Sequence, residues 1–502
     1  MSEQPGPVGE ELVQALLSQP LLLVRLAANA LAVAESLREN YFRNTARFIG
    51  DLRRALRAFA EGRRAEVPVR VFPVEGADWA EVQGEVVTFI DGGIGRVQIA
   101  GQVPILLRVG SYCVRTGDRR LAERERFGYY PVVLGDLEGG SKHRRDFPDL
   151  VRIIAEVLGG LAAMERTPDL RVLVFHGPLV YLMGGYAGHA PFTEHDIDLL
   201  LRHYAPDPRL ARDLKEGFLA EARRVIYPRL LGDQAETWIR QRHFEPLAWL
   251  AYLYRRLIAL ARQRQPVPLI IGVVERSDLR QFLERVLLVR VFQGLEARGR
   301  SDYFNRLYGR RDLISPQAVL DRLGYTDALL LGLLLQPGQY SEPWEIEKYE
   351  GLRERSTGQR IDFAALRPGP IGFPRVHGFY LKVSETTEPL RVEVFSDLGE
   401  HQVAAAARRV YLYARLLPGY GFPVGLDVVD KYARVPAWLL AAYAKLIRYH
   451  LGVSLQSGEI SDAEVRRLLV QAVYLTQRDW LFRPSAFLGR SRPSHDAEEN
   501  HG

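Results

Sequence analysis

Four residues of this chain carry side chains and spacings suited to chemistry: Asp91, Glu156, His176 and Asp430. Asp91 closes the apolar run Val86–Ile90 and precedes Gly92-Gly93, and His176 closes Leu170–Phe175 and precedes Gly177-Pro178. An acid that ends a buried strand and is followed by glycine projects a carboxylate from the sheet edge, where the backbone can turn sharply. Several hard ligands of this kind, converging on two cations about 3.5–4 Å apart, are what two-metal phosphodiester hydrolysis requires. Carboxylates suit Mg²⁺ or Mn²⁺, and an imidazole is compatible with Mn²⁺.

Each residue also has a plainer reading. Asp-Gly is the commonest signal of a tight hairpin. Glu156 lies off the apolar stripe of its helix, a surface position when taken alone, and Glu165 on the stripe is its rival. Asp430 follows the apolar run Val424–Val429 and opens a helix containing Lys431, Tyr432 and Arg434, where an aspartate also serves as an N-cap. His176 stands where a second strand-end acid is expected, and a neutral imidazole brings no negative charge to a hard cation. The cluster Glu194-His195-Asp196-Ile197-Asp198 offers replacement ligands, or a polar loop that opens a helix.

The elements that must position these residues follow from periodicity. Residues 8–62 read as helix, with a basic stretch from Arg43 to Arg64 and Phe48, Ile49, Leu52 and Leu56 on one side. That stretch is a solvated face over the core or a contact for a nucleic acid or partner. Val86–Ile90, Gly95–Ala100 and Val103–Cys113 read as a three-strand antiparallel meander, and residues 116–147 as charged and irregular. A helix over 148–165 leads to the central strand Leu170–Phe175, then a helical stretch over 205–264, the strand Val267–Val274 and the helix Leu279–Ala297. Residues 300–370 are mixed and rich in loops; Val376–Val383 and Leu390–Phe395 form a hairpin. A helix at 401–416, a short strand at 422–429 and helices near 434–451 and 461–475 precede a polar tail from Arg490. This order predicts an α/β, RNase H-like mixed sheet with a large helical insertion and helical N- and C-terminal additions. The expected division is an N-terminal helical region (1–80), a core (81–300) with its insertion at about 180–265, a remainder (301–455) and a C-terminal helix and tail (456–502).

Composition narrows the function classes. The 502 residues are 47% hydrophobic and 25% charged, enough for a sizeable core. Net charge is +6, a mild excess over this length, and the basic residues are nearly all arginine. Arginine suits bidentate phosphate contacts, although a GC-rich genome gives the same bias. The single cysteine, Cys113, excludes an internal disulfide and a cysteine-based zinc module and fits a reducing cytoplasm. The chain has no apolar run of membrane-spanning length and no basic leader before an apolar segment, so a soluble, cytoplasmic protein is expected. It has no Gly-x-x-x-x-Gly-Lys-Ser/Thr phosphate loop.

At the level of ordered motifs the chain resembles the NurA family, nucleases that work with the hexameric HerA translocase at DNA ends. Phe89-Ile90-Asp91-Gly92-Gly93 resembles the family's first motif, a strand ending in Asp-Gly-Ser, and Glu156 lies at about the distance of its catalytic glutamate. Val174-Phe175-His176-Gly177-Pro178-Leu179 is similar to its Asp-Gly-Pro/Ser-Leu strand end, with histidine for aspartate. Ile270–Ser277 is similar to its Gly-Val-x-Lys-x-Ser segment, with Glu275 where lysine is usual. His377–Lys382 and Pro389–Glu393 resemble its late hairpin with Arg-x-Glu, and Gly421–Ala433 the element bearing the last metal ligand. The resemblance covers roughly residues 80–450. It implies a metal-dependent deoxyribonuclease, of exonuclease and endonuclease type, acting in DNA end resection and double-strand break repair. Asp91, Glu156, His176 and Asp430 would bind Mn²⁺ or Mg²⁺, and Arg276, Lys382 and Arg391 would contact phosphates. It further implies a homodimer and a separate HerA-type hexameric ATPase as partners beside DNA. The substitutions at 176 and 275 leave a rebuilt site and a catalytically degenerate, DNA- or translocase-binding subunit as the two readings.

Overall fold

A computed structural model describes Ser18 and residues 20–63, 66–97, 104–120, 126–129, 132–134, 141–187, 192–221, 243–355, 363–399, 401–457 and 460–474. The chain divides into two compact units. The smaller comprises Met1–Pro73, Arg276–Trp344 and Tyr380–Arg391; the larger comprises Val74–Glu275, Glu345–Phe379 and Val392–Gly502.

The larger unit is built on a mixed sheet. Val86–Arg96 (β1) pairs antiparallel with Ile105–Arg115 (β2) over its whole length, from Val86 opposite Arg115 to Arg96 opposite Ile105. Arg126–Tyr129 (β3) and the short strand Val132–Leu134 pair antiparallel with β2. On the other side of β1, Leu170–His176 (β4) runs parallel to it, and Leu269–Val274 (β5) runs parallel to β4. The order β3-β2-β1-β4-β5, a meander followed by parallel strands, is RNase H-like, as expected. The sheet continues past β5 into the larger-unit residues of Val376–Lys382 (β6) and Leu390–Phe395 (β7), with β7 next to β5. These two strands are the expected late hairpin.

Helix Ser141–Arg166 (α1) packs on β1 and β2 and also against Pro246–Arg262 (α2). Ile90, Val109, Leu150, Ile154, Leu158, Leu173 and Leu253 are buried in the core so formed. His401–Ala414 (α3) lies against β5, and Val424–Ala433 (α4) against β1 and β2.

Several expectations are corrected. The first two strands of the predicted meander are one strand of 11 residues, β1, and the meander is completed within the stretch read as irregular. Asp91 therefore sits inside β1, opposite Gly110, rather than at a strand end. The segment read as a strand at 422–429 is the helix α4; its buried residues Gly425, Leu426, Val429 and Ala433 follow helical spacing, and Pro423 rather than Asp430 occupies its N-cap. Helix α1 starts at Ser141, seven residues before the expected position. The insertion is broken into Glu194–Tyr204, Pro208–Glu221 and α2, with a small strand pair, Phe192–Thr193 and His243–Phe244. Residues 222–242 of that stretch, the start of the first helical region and the tail from Arg490 lie outside the described residues.

In the smaller unit, helices Pro20–Ser36 and Arg43–Ala60 are joined by the helical turn Leu37–Phe42, and Phe48, Ile49 and Leu52 are buried as their spacing requires. The stretch expected to be mixed and loop-rich holds helices Tyr303–Tyr308, Pro316–Leu323 and Asp327–Leu334 and the strand Gln339–Ser341, which pairs antiparallel with Val71–Pro73. No helix among the described residues is long and apolar enough to cross a membrane.

Candidate metal centre

Side chains alternate along a strand, and β1 uses both of its faces. Ile90 joins the core beneath α1, whereas Phe89 packs against Gly425 of α4. Asp91 shares the α4 face with Phe89. Its neighbours are glycines because helices press on the strand from both sides. A Cβ at Gly92 would stand 2.8 Å from Glu156 Cγ and 2.9 Å from Arg152 Cγ, both on α1. A Cβ at Gly93 would run into the carbonyl of Ala433 at the end of α4, and one at Gly110 would stand 2.9 Å from Val429 Cγ2. The glycine pair thus marks close helix approach, not a turn.

This approach brings three of the predicted residues together. Ligand atoms of Asp91, His176 and Asp430 all lie within 4.8 Å of one another. His176 Nδ1 lies 3.1 Å from Asp91 Oδ2, and the Gly92 amide donates to Asp91 Oδ1 at 2.8 Å. Asp430 is in the last turns of α4, where the Arg434 guanidinium reaches it at 2.7 Å. The imidazole and the Phe422 ring meet in a T-shaped arrangement, centroids 5.6 Å apart. Asp91 is buried, but the His176 and Asp430 side chains keep 28% and 30% of their surface, so the cluster opens to solvent on their side.

Glu156 comes to the same stretch of β1 from α1, beneath Gly92. Its expected surface position is corrected. The middle of α1 is covered by the sheet, by α2 and by Glu194–Tyr204, so residues off the main stripe are buried too, and Glu156 is 4% exposed. Arg152, one turn earlier, forms an ion pair with it and donates to Tyr181 Oη at 3.3 Å. The rival, Glu165, sits apart, 3.8 Å from Arg264. The Glu194–Asp198 cluster is a helix start: Thr193 and Asp196 form a capping box, and Lys215 binds Glu194 and Asp198.

The electrostatics follow from this packing. Burial pushes the Glu156 carboxyl up to about 7; Arg152 opposes this and the Asp91 charge adds to it. For His176, burial works against protonation. The hydrogen bond that the imidazole donates to Asp91 and the charges of Asp91, Asp430 and Glu156 outweigh it and raise the imidazole above its ordinary value. Two carboxylates and one imidazole, with a third carboxyl behind them, form a donor set that fits a divalent cation tolerant of nitrogen.

Of the residues read as phosphate contacts, Arg276 is exposed, in the smaller unit, just past β5. Lys382 and Arg391 are buried in that unit, where Lys382 donates to the Thr387 carbonyl and Arg391 to Ser277 Oγ. Sequence reasoning missed Arg152, Tyr181 and Phe422. An arginine four residues before Glu156 was visible as a helical pair, but nothing in the sequence brought Tyr181 to Arg152 or Phe422 to His176.

The NurA domain model matches residues 85–435. A search of curated proteins finds no match. Among solved structures, the chain is similar to the NurA nuclease from Sulfolobus solfataricus, with 12% identity, 86% of this chain and 96% of that chain covered, and a TM-score of 0.43. It is also similar to NurA with manganese, at 11% identity, coverages of 85% and 97%, and a TM-score of 0.36. A third is NurA bound to dAMP and manganese, at 11% identity, coverages of 83% and 94%, and a TM-score of 0.35. With its family-model match running through β1, α1, β4 and α4, the chain belongs to the NurA family.

Proposed function

We propose that the protein is a metal-dependent DNA nuclease that processes DNA ends. The observation that carries this reading is the convergence of Asp91, His176 and Asp430 on one solvent-open point, in a chain of the NurA family. These three would hold Mn²⁺ or Mg²⁺, with Mn²⁺ favoured by the imidazole, and Glu156 adds its carboxyl from the α1 side. When bound, such a cation activates water and stabilises the leaving oxygen of a phosphodiester. The protein's own part is to orient the ligands: Gly92 holds Asp91, Arg152 holds Glu156, and Arg434 holds Asp430. Arg276 would meet phosphate oxygens, the contacts that position proteins on DNA. The chain has no phosphate loop of its own, so a HerA-type ATPase is proposed as the motor, with a homodimer as the working form.

A second reading is supported by two features, the histidine at 176 and the neutralisation of Glu156 by Arg152: a subunit that binds DNA or the translocase without cutting. The deciding experiment is degradation of end-labelled linear duplex and single-stranded DNA in millimolar Mn²⁺ or Mg²⁺, with and without the cognate ATPase. Metal-dependent cutting that falls by about 10²–10³-fold in Asp91→Ala, the scale for losing one group that stabilises the transition state, supports the nuclease. DNA binding without cutting in every condition supports the second reading.

A further inference from the structure

Among the buried charges of the larger unit, one pair has no part in the cluster yet touches the segment that carries it. Lys348 and Glu393 are 2% and 0% exposed, and Lys348 Nζ donates to Glu393 Oε1 at 2.8 Å. An ion pair so deeply buried adds little net stability, because desolvation offsets the attraction. Its placement therefore asks for another account.

The segment from His176 to Met183 leaves β4 and carries two site residues, His176 and Tyr181, the latter against Arg152. Four bonds fix it. The Gly177 amide donates to the Val273 carbonyl at 2.8 Å. The Leu179 amide donates to Glu393 Oε2 at 3.0 Å, and the Tyr254 hydroxyl donates to the Leu179 carbonyl. The Met183 amide donates to the Lys348 carbonyl at 2.8 Å. The segment also lies directly over β5, where a Cβ at Gly272 would stand 2.6 Å from the Leu179 nitrogen. Glu393 and Lys348 thus hold the segment at two points, and their ion pair ties those two points together.

We infer that Lys348 and Glu393 are positioning residues for the metal centre, clamping the Gly177–Met183 segment so that His176 faces Asp91 and Tyr181 holds Arg152 on Glu156. This rests on the proposed cation site. The physical expectation is that of outer partners that orient metal ligands, whose loss typically weakens metal binding by about 10–100-fold.

The test uses the full chain and Mn²⁺ alone. Glu393→Gln keeps an oxygen but loses the charge. Lys348→Met/Glu393→Leu removes both charges and leaves neither buried alone, so it keeps the fold where a single change strands an unpaired charge. Leu214→Ala, on the buried side of helix Pro208–Glu221, which packs on α2 and on Glu194–Tyr204, is the control for general destabilisation. Mn²⁺ affinity is measured by titration calorimetry, and amide exchange is followed at Leu179 and Met183. The clamp predicts faster exchange at those two amides and about 10–100-fold weaker Mn²⁺ binding in both clamp variants, with neither effect in Leu214→Ala. A folded double variant with wild-type exchange and affinity overturns the inference. If the wild type binds no Mn²⁺, the cation-site reading fails, and exchange at Leu179 still shows whether the clamp exists.

Discussion

At the scale of single residues, His176 sets the character of the centre. A carboxylate there would add a third negative charge to Asp91 and Asp430; the imidazole adds none and must lose a proton before it can ligate. Its pKa is raised, chiefly by Asp91 against the opposing effect of burial. In the metal-free protein its charged form therefore stabilises the fold below its ordinary pKa of about 6.5, and that contribution is lost as pH rises through the folded value. A cation competes with the same proton. Mn²⁺ affinity should accordingly climb with pH from about 6 to 8, approaching tenfold per unit where His176 is still protonated. Glu156, held up to about 7 by burial, adds to the climb at the lower end of that window. Calorimetric titrations across this range should show the slope, and His176→Gln should flatten it. His176→Asp, which restores a carboxylate, should tighten Mg²⁺ about tenfold and shift preference away from Mn²⁺; unchanged Mg²⁺ affinity would place residue 176 outside the ligand set.

At the scale of elements, the lesson lies in two glycines. Gly92-Gly93 were legible as a signal but not as the right one, because an Asp-Gly pair after an apolar run looks the same whether the chain turns or a helix lands on it. Only the helices that press on β1, from α1 at Gly92 and from α4 at Gly93, decide between them. The same limit applies to Glu156, read as a surface residue because one stripe was assumed for α1, when the helix is covered on several sides. It applies to α4, whose valines mimic a strand until the spacing of its buried residues is seen. The central strands Leu170–Phe175 and Val267–Val274 and the late hairpin were legible, since their β-branched runs suffice; the meander was legible as a motif but not in its strand bounds, because Gly92-Gly93 look like a break within the single strand β1. The close approach makes its own prediction. Gly93→Val would drive a side chain into the Ala433 carbonyl and push the end of α4, with Asp430, off the strand. Overpacking of this kind costs about 1–3 kcal/mol, so thermal unfolding should begin earlier. Mn²⁺ binding should fall in addition, because Asp430 moves with the helix. A variant that loses stability but binds Mn²⁺ as before would show that Asp430 is not a ligand.

At the scale of the whole molecule, all four residues of the centre belong to the larger unit, although they are spread from 91 to 430 along the chain. They meet only when β1, α1, β4 and α4 are assembled, so an unfolded chain offers no comparable site. A ligand that binds only the folded state stabilises it by mass action, by about 2.7 kcal/mol when present at a hundred times its dissociation constant. Mn²⁺ should therefore raise the unfolding temperature of the intact protein by a few degrees, and a chelator should reverse the rise. Asp91→Ala separates this from nonspecific ion effects, for it removes a ligand shielded from solvent while leaving the exposed acids untouched. In that variant the Mn²⁺-dependent rise should vanish, although the metal-free protein still unfolds cooperatively. A rise that survives in Asp91→Ala would mean that the metal binds elsewhere on the surface, and the cluster of Asp91, His176 and Asp430 would then have to be read as an ion-pair network of the fold.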